Sequence, residues 1–149
     1  MTLFESNIND SSYSVAGAAL DGILKLDEAK AYQAAKKISG DSKGALNNAI
    51  MKTYIKGGNE ADYDFVCKMY DDAPLGQDKI ALSADFAQYL EKVNNNDKVK
   101  TGIDKIIKFR NSIPEQYRVF TDPAIKKGLD KLGKTKGSDI TEYINNVFN

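Results

Sequence analysis

SYSVAGAALDGILKLDEAKAYQAAKKISG, residues 12–40, decides the fold. Its apolar residues return every three or four positions, the repeat of one face of an α-helix, and no part of it shows the strict alternation of a half-buried strand. The spacing predicts a helix from about Ser12 to Leu26, on which Val15, Ala16, Ala19, Leu20, Ile23 and Leu24 form one apolar stripe. Asp10, Ser11 and Ser12 are its cap candidates. Asp27 then opens a second helix carrying Ala31, Ala35 and Ile38, which Gly40 ends. So short a join makes the two an antiparallel pair.

Working outward, the next stretch repeats this plan. Asp41 or Ser42 can cap a helix bearing Leu46, Ala49, Ile50, Thr53 and Tyr54, stopped by Gly57-Gly58. Asn59 or Glu60 starts another with Tyr63, Val66, Met69, Tyr70 and Ala73, ended near Pro74. Ala19-Leu20 falls over Ala49-Ile50, and Ile38 over Met69, at an offset of 30 to 31 residues, the mark of a helical repeat. A longer helix follows from Gln77 to Val93, with Ile80, Ala84 and Ala87 on one side and Leu82, Phe86, Tyr89 and Val93 round another, so it reads as the most buried. After the polar turn 94–97, Val99, Ile103, Ile106, Ile107 and Phe109 line the next. Pro114 begins a short helical turn, and Asp122-Pro123 reads as a cap followed by a first-position proline, leading into Ile125, Leu129 and Leu132. Gly133 and Gly137 bracket a lysine-bearing loop, and Ser138 or Asp139 caps a last helix with Ile140, Tyr143, Ile144 and Val147. The expected fold is all-α: about nine helices in antiparallel pairs, stacked as a HEAT- or armadillo-like right-handed superhelix. Residues 1–149 are expected to form a single helical-repeat domain, with 1–11 as a flexible N-terminal lead.

Composition narrows the chemistry. The 149 residues hold 21 basic and 21 acidic side chains, one cysteine and no histidine. Zinc hydrolysis on histidine ligands, proteolysis with a histidine base and a histidine pH switch all need an imidazole that this sequence lacks. With 42% hydrophobic and 28% charged residues, the chain is too apolar for disorder, and it has no apolar run long enough to span a membrane. Cys67 is single, so no internal disulfide is possible; in its apolar-periodic setting it reads as a small buried hydrophobe. The opening MTLFESNINDSSYS lacks the basic and apolar regions of a signal peptide, an abrupt start that suits a piece of a longer protein and leaves the compartment open.

Charge sums to zero but is unevenly spread. From Lys98 to Lys136 there are nine lysines and two arginines against four acids. Lys98, Lys100, Lys105, Lys108, Arg110, Lys126, Lys127, Lys131, Lys134 and Lys136 form the candidate partner-binding basic surface. Few arginines and little aromatic interleaving favour solvated helix faces over a nucleic-acid surface, and an acidic partner domain ranks ahead of nucleic acid. Carboxylates cluster at Glu60, Asp62 and Asp64 and at Asp71 and Asp72, without the loop spacing of a calcium site. The first group suits a helix N-terminus; Asp71 and Asp72 oppose the helix dipole and have no sequence-level reason. The glycine-bearing segments lack phosphate-loop spacing, and the tyrosines read as packing residues. No catalytic, cofactor or metal residue is assigned.

Three segments, DSSYSVAGAALDGILKLD (10–27), KIIKFRNSIPEQYR (105–118) and DPAIKKGLDKL (122–132), together resemble the helical C-terminal region of bacterial family M1 zinc aminopeptidases. The resemblance implies a non-catalytic domain that packs on a catalytic domain of the same parent chain and helps enclose the peptide-substrate cavity, touching peptide only at its edge. It implies no cofactor in this chain and a zinc in the parent enzyme. HExxH and GxMEN, the family's catalytic hallmarks, are absent, so no family catalytic role falls on any residue here. The alternative is a free-standing helical-repeat adaptor for protein partners, with no nucleic acid and no membrane involved.

Overall fold

The structure, a computed structural model, describes residues 2–149, less the side chains of Thr2 and Asp41. The proposed Asp41 cap therefore lies outside the described residues. Among the described residues every regular element is helical, and nine are α-helices: α1 (Thr2–Asn7), α2 (Tyr13–Leu26), α3 (Glu28–Ile38), α4 (Gly44–Gly57), α5 (Tyr63–Asp72), α6 (Gln77–Leu90), α7 (Asn96–Ser112), α8 (Glu115–Lys136) and α9 (Ser138–Phe148). Short 3-10 turns follow α3 and precede α5. The expected number is met by a different set. Helix α1 lies where a flexible lead was expected, and the two helices expected around Pro114 and Pro123 are one, α8, with Pro123 inside it.

Contacts divide the chain into two compact units, Met1–Asp62 and Tyr63–Asn149, where the sequence suggests a single domain. The boundary falls between α4 and α5, the two helices that the 30-residue offset pairs as one repeat.

In the first unit α2 packs on α1, α3 and α4, most extensively on α4. Ala16, Ala19, Leu20, Ile23 and Leu24 are buried as the spacing requires, while Val15, at the edge of the stripe, is exposed. Gly17 allows the close approach to α4: a Cβ there would sit 2.9 Å from the Ala45 carbonyl oxygen, a backbone atom that cannot swing aside. Asp27 serves both neighbouring helices. Its N–H donates to the Ile23 carbonyl and closes α2, and its carboxylate accepts from the Lys30 N–H at 2.9 Å and opens α3. Glu5 of α1 pairs with Lys30 of α3. The buried Thr53 hydroxyl donates to the Ala49 carbonyl at 2.8 Å, and the half-buried Tyr32 hydroxyl donates to Asp62 at 2.7 Å, so neither oxygen is left unmet.

In the second unit α8 packs on α6, α7 and α9. Ile125, Leu129 and Leu132 of α8, Phe86, Tyr89 and Leu90 of α6, Val99, Ile103 and Ile106 of α7, and Ile140 and Ile144 of α9 make its core. Helix α6 is turned differently from the sequence reading. Lys79, Ser83, Phe86, Ala87, Tyr89 and Leu90 are buried, and Ile80, Leu82 and Ala84 are only half-buried. Asn95 caps α7, its side chain accepting from the N–H groups of Asp97 and Lys98. No loop separates Gly133 from Gly137; the helix runs to Lys136. Gly137, at φ +99°, turns the chain into α9 in a backbone region that favours glycine, and neither Ser138 nor Asp139 caps that helix.

Candidate interaction surface

The ten cations marked by the sequence have different fates. Arg110 is locked: its Nε and Nη2 donate to the two carboxylate oxygens of Asp122 at 2.8 and 2.7 Å, and its guanidinium lies 4.3 Å from the centre of the Phe148 ring. At 13% and 24% side-chain exposure this fork, joining α7 to α8, is the best-shielded ion pair described in the chain. Lys105 pairs with Asp71 at 2.5 Å, Lys100 with Asp139 at 3.1 Å, and Lys126 with Asp130 one turn on at 2.7 Å. The Lys136 ammonium donates to the Val93 carbonyl, and Lys98 sits over the Tyr63 ring at 5.2 Å. Lys131, 63% exposed, reaches only a loose 3.5 Å contact with Glu91. Among the described residues no carboxylate lies within ion-pair distance of Lys108, Lys127 or Lys134. The basic stretch is therefore not one surface: most of its charge is spent on intramolecular contacts, several with acids from outside the stretch.

What remains is concentrated on α8. At 3.6 residues per turn, Ile125, Leu129 and Leu132 point to the core, and the opposite face carries Tyr117, Phe120, Ala124, Lys127, Lys131 and Lys134 in order. That outer face is divided along its length. Its first half carries Tyr117, 53% exposed, and Phe120, 79% exposed, its second half the lysines, while Val119, 68% exposed, lies further round the helix. Arg118 anchors the first half, donating from Nε to the Ile113 carbonyl at 2.9 Å and from Nη2 to the Asn111 carbonyl at 3.0 Å. Both arginines of the chain are thus committed to internal partners. The sequence reading missed the apolar half because it broke this helix at Pro123. Read as an unbroken helix, the i, i+3, i+7 spacing of Tyr117, Phe120 and Ala124 is the signal that finds it.

A second arrangement escaped the sequence reading altogether. Lys79 is 5% exposed, and its ammonium donates to the carbonyls of Asp71 at 3.2 Å and Ala73 at 3.0 Å, at the end of α5. It also faces the rings of Tyr70 at 4.9 Å and Phe109 at 5.6 Å. Burial holds its pKa below the usual lysine value, against the upward pull of Asp71 and Asp72. Here is the reason for two acids at a helix C-terminus: Lys79 and Lys105 supply the positive charge that the dipole calls for. Cys67 is buried, and burial pushes its thiol up, away from the thiolate that nucleophilic chemistry uses.

Among the described residues no group of three His, Cys, Asp or Glu side chains is placed to hold a metal ion, and no helix is long and apolar enough to cross a membrane. No protein-family model, no curated protein and no solved structure matches the chain.

Proposed function

We propose that this chain is a helical interaction module that receives an acidic segment of a protein partner on the second half of α8. The observation that carries the reading is the stripe of Lys127, Lys131 and Lys134, at i, i+4 and i+7 on one exposed face, two of them with no carboxylate in reach among the described residues. Lysine ammonium groups on long stems act as hydrated point charges, suited to a salt-sensitive contact with carboxylates. A bidentate grip on phosphate needs free arginine forks, and both arginines are occupied. The test uses a fluorescent glutamate-rich peptide and anisotropy at low salt. The intact chain should bind it, lose it as salt is raised, and lose it at any salt when Lys127, Lys131 and Lys134 are changed to Glu. Equal binding by the triple variant would sink the reading.

A second reading rests on the aminopeptidase resemblance, whose three segments fall on α2, the α7–α8 corner and α8, the helices on which each unit packs. The partner is then the catalytic domain of a zinc aminopeptidase, the helices belong to a HEAT- or armadillo-like stack beside its substrate cavity, and its zinc is held by that domain. This chain, having no histidine, offers that zinc no imidazole ligand. Coding sequence upstream of Met1 carrying HExxH and GxMEN would support this reading, and its absence there would dismiss it.

A further inference from the structure

We propose that the acidic segment received by α8 is itself a helix, acidic in its first half and apolar in its second, which docks antiparallel along the whole exposed stripe. This rests on the acidic-partner reading above and extends it from the lysines to Tyr117, Phe120 and Ala124. From Tyr117 the six residues follow one another at steps of three, four, three, four and three, which keeps them on one face, and all six are exposed. The aromatic and basic halves thus form one continuous strip, about 25 Å long at the helical rise. The lysines state what one end of the occupant carries: carboxylates opposite Lys127, Lys131 and Lys134. Lys131 is 63% exposed and only loosely held by Glu91 at 3.5 Å, so its ammonium keeps donors for a second acid. The helix dipole gives the order. Carboxylates are favoured at the N-terminal end of a helix, so the acids come first in the partner and its apolar residues after them. Laid antiparallel to α8, such a helix sets its acids over the lysines and its apolar half over Phe120 and Tyr117. Parallel docking would need the acids at the partner's C-terminal end, where its own dipole opposes them. Ala124, the smallest side chain of the strip, stands near its middle and lets a second helix come close. The Arg110–Asp122 fork and the two Arg118 bonds hold the aromatic half of α8 from behind, so little ordering is left to be done on docking.

The mirrored spacing specifies the probe: a labelled peptide with glutamates at its positions 1, 4 and 8 and leucines at 11, 15 and 18, on an alanine and glutamine background. Two controls accompany it, one with the leucines changed to glutamine and one with the whole order reversed. Anisotropy with the full chain should show the acid-first peptide binding about tenfold more tightly than the leucine-free control, with a gain in helical circular dichroism on mixing. The reversed peptide should bind no better than the leucine-free one. Tyr117→Ser with Phe120→Ser, both at exposed positions, should leave the chain's own helical signal unchanged, remove the tenfold advantage and spare the binding of the leucine-free control. Equal binding of the acid-first and leucine-free peptides, or an advantage that survives the double serine variant, overturns this proposal and leaves the acidic-partner reading standing. An equally tight reversed peptide overturns the antiparallel order. Failure of every peptide to bind, or acid-first binding that ignores the change of Lys127, Lys131 and Lys134 to Glu, overturns the acidic-partner reading and this proposal with it.

Discussion

Lys79 shows how a single side chain can defeat periodicity. A lysine at a buried position contradicts the pattern that locates a helix face, and so the α6 stripes read from the sequence as Ile80, Ala84 and Ala87 on one side and Leu82, Phe86, Tyr89 and Val93 round another. The structure buries Phe86, Ala87 and Tyr89 as expected, but leaves Ile80, Leu82 and Ala84 half-buried and puts Lys79, Ser83 and Leu90 on the buried face. The ammonium is tolerated there because the Asp71 carbonyl in the last turn of α5 and the Ala73 carbonyl just beyond it, which have no acceptor role within the helix, take its protons. Nothing in the local sequence reports this, because the acceptors belong to another element. Ser83 belongs to the same arrangement: its hydroxyl donates to the Lys79 carbonyl at 2.7 Å and shares a hydrogen bond with the Tyr70 hydroxyl. Replacing Lys79 by Met preserves most of the volume and removes the donor. The Asp71 and Ala73 carbonyls then lose their partner and Asp71 and Asp72 lose a compensating charge, so Lys79→Met should cost about 1–3 kcal/mol in urea unfolding at neutral pH. An unchanged midpoint would mean that water replaces the ammonium and that the contact has no structural weight.

At the scale of elements, the legible helices are those whose ends are marked by local chemistry. Asp27, Asn95 and Gly57-Gly58 bound α2, α3, α4 and α7 within a residue or two of the expected places, because a capping carboxylate, a capping amide or a helix-ending glycine acts on backbone groups three or four residues away. Helix α8 was illegible for the opposite reason. Asp-Pro is a strong local start signal, and here a long-range contact overrides it: the Arg110 fork fixes Asp122, the residue that proline would otherwise push out of helical conformation. Helix α1 also depends on a distant partner, for a Cβ on Gly22 would come within 2.7 Å of the Phe4 ring, and only glycine leaves room for that ring on α2. The internal proline still costs α8 one hydrogen bond, since Pro123 has no N–H to offer the Val119 carbonyl. Pro123→Ala should therefore raise stability, by about 1–3 kcal/mol, without changing helix content. A loss of stability would show that α8 needs the proline's bend to seat both halves.

Charge belongs to the molecule as a whole, and here counting along the chain misleads most. The basic stretch looks unopposed only until folding brings in Asp71, Glu91 and Asp139 from outside it. Titration at high pH is likewise a property of the fold. Burial, seconded by the hydrogen bond to Asp62, pushes Tyr32 up to about 12; the hydrogen bond to Asp104, seconded by burial, does the same to Tyr143. Burial also raises Tyr54, Tyr63 and Tyr70. An unfolded tyrosine ionises near pH 10, so below that pH both states hold the proton and these contacts contribute in full. Above it the unfolded chain releases protons that the folded chain keeps, and stability falls as pH rises towards the folded values. Lys79, lowered by burial, acts in the other sense up to the ordinary lysine value, while Cys67, Lys30 and Lys105, all raised, act with the tyrosines. The urea midpoint should therefore hold roughly level to about pH 9.5 and fall steeply between about 10 and 12. Tyrosinate absorbance should rise late, together with the loss of helical circular dichroism, and Tyr70→Phe should make the alkaline fall shallower. If all eight tyrosines instead ionise smoothly near pH 10 while the helices persist, the hydroxyls of Tyr63 and Tyr70 are open to solvent in solution, and the packing of α5 against the core of the second unit is looser than their hydrogen bonds to Lys98 and Ser83 require.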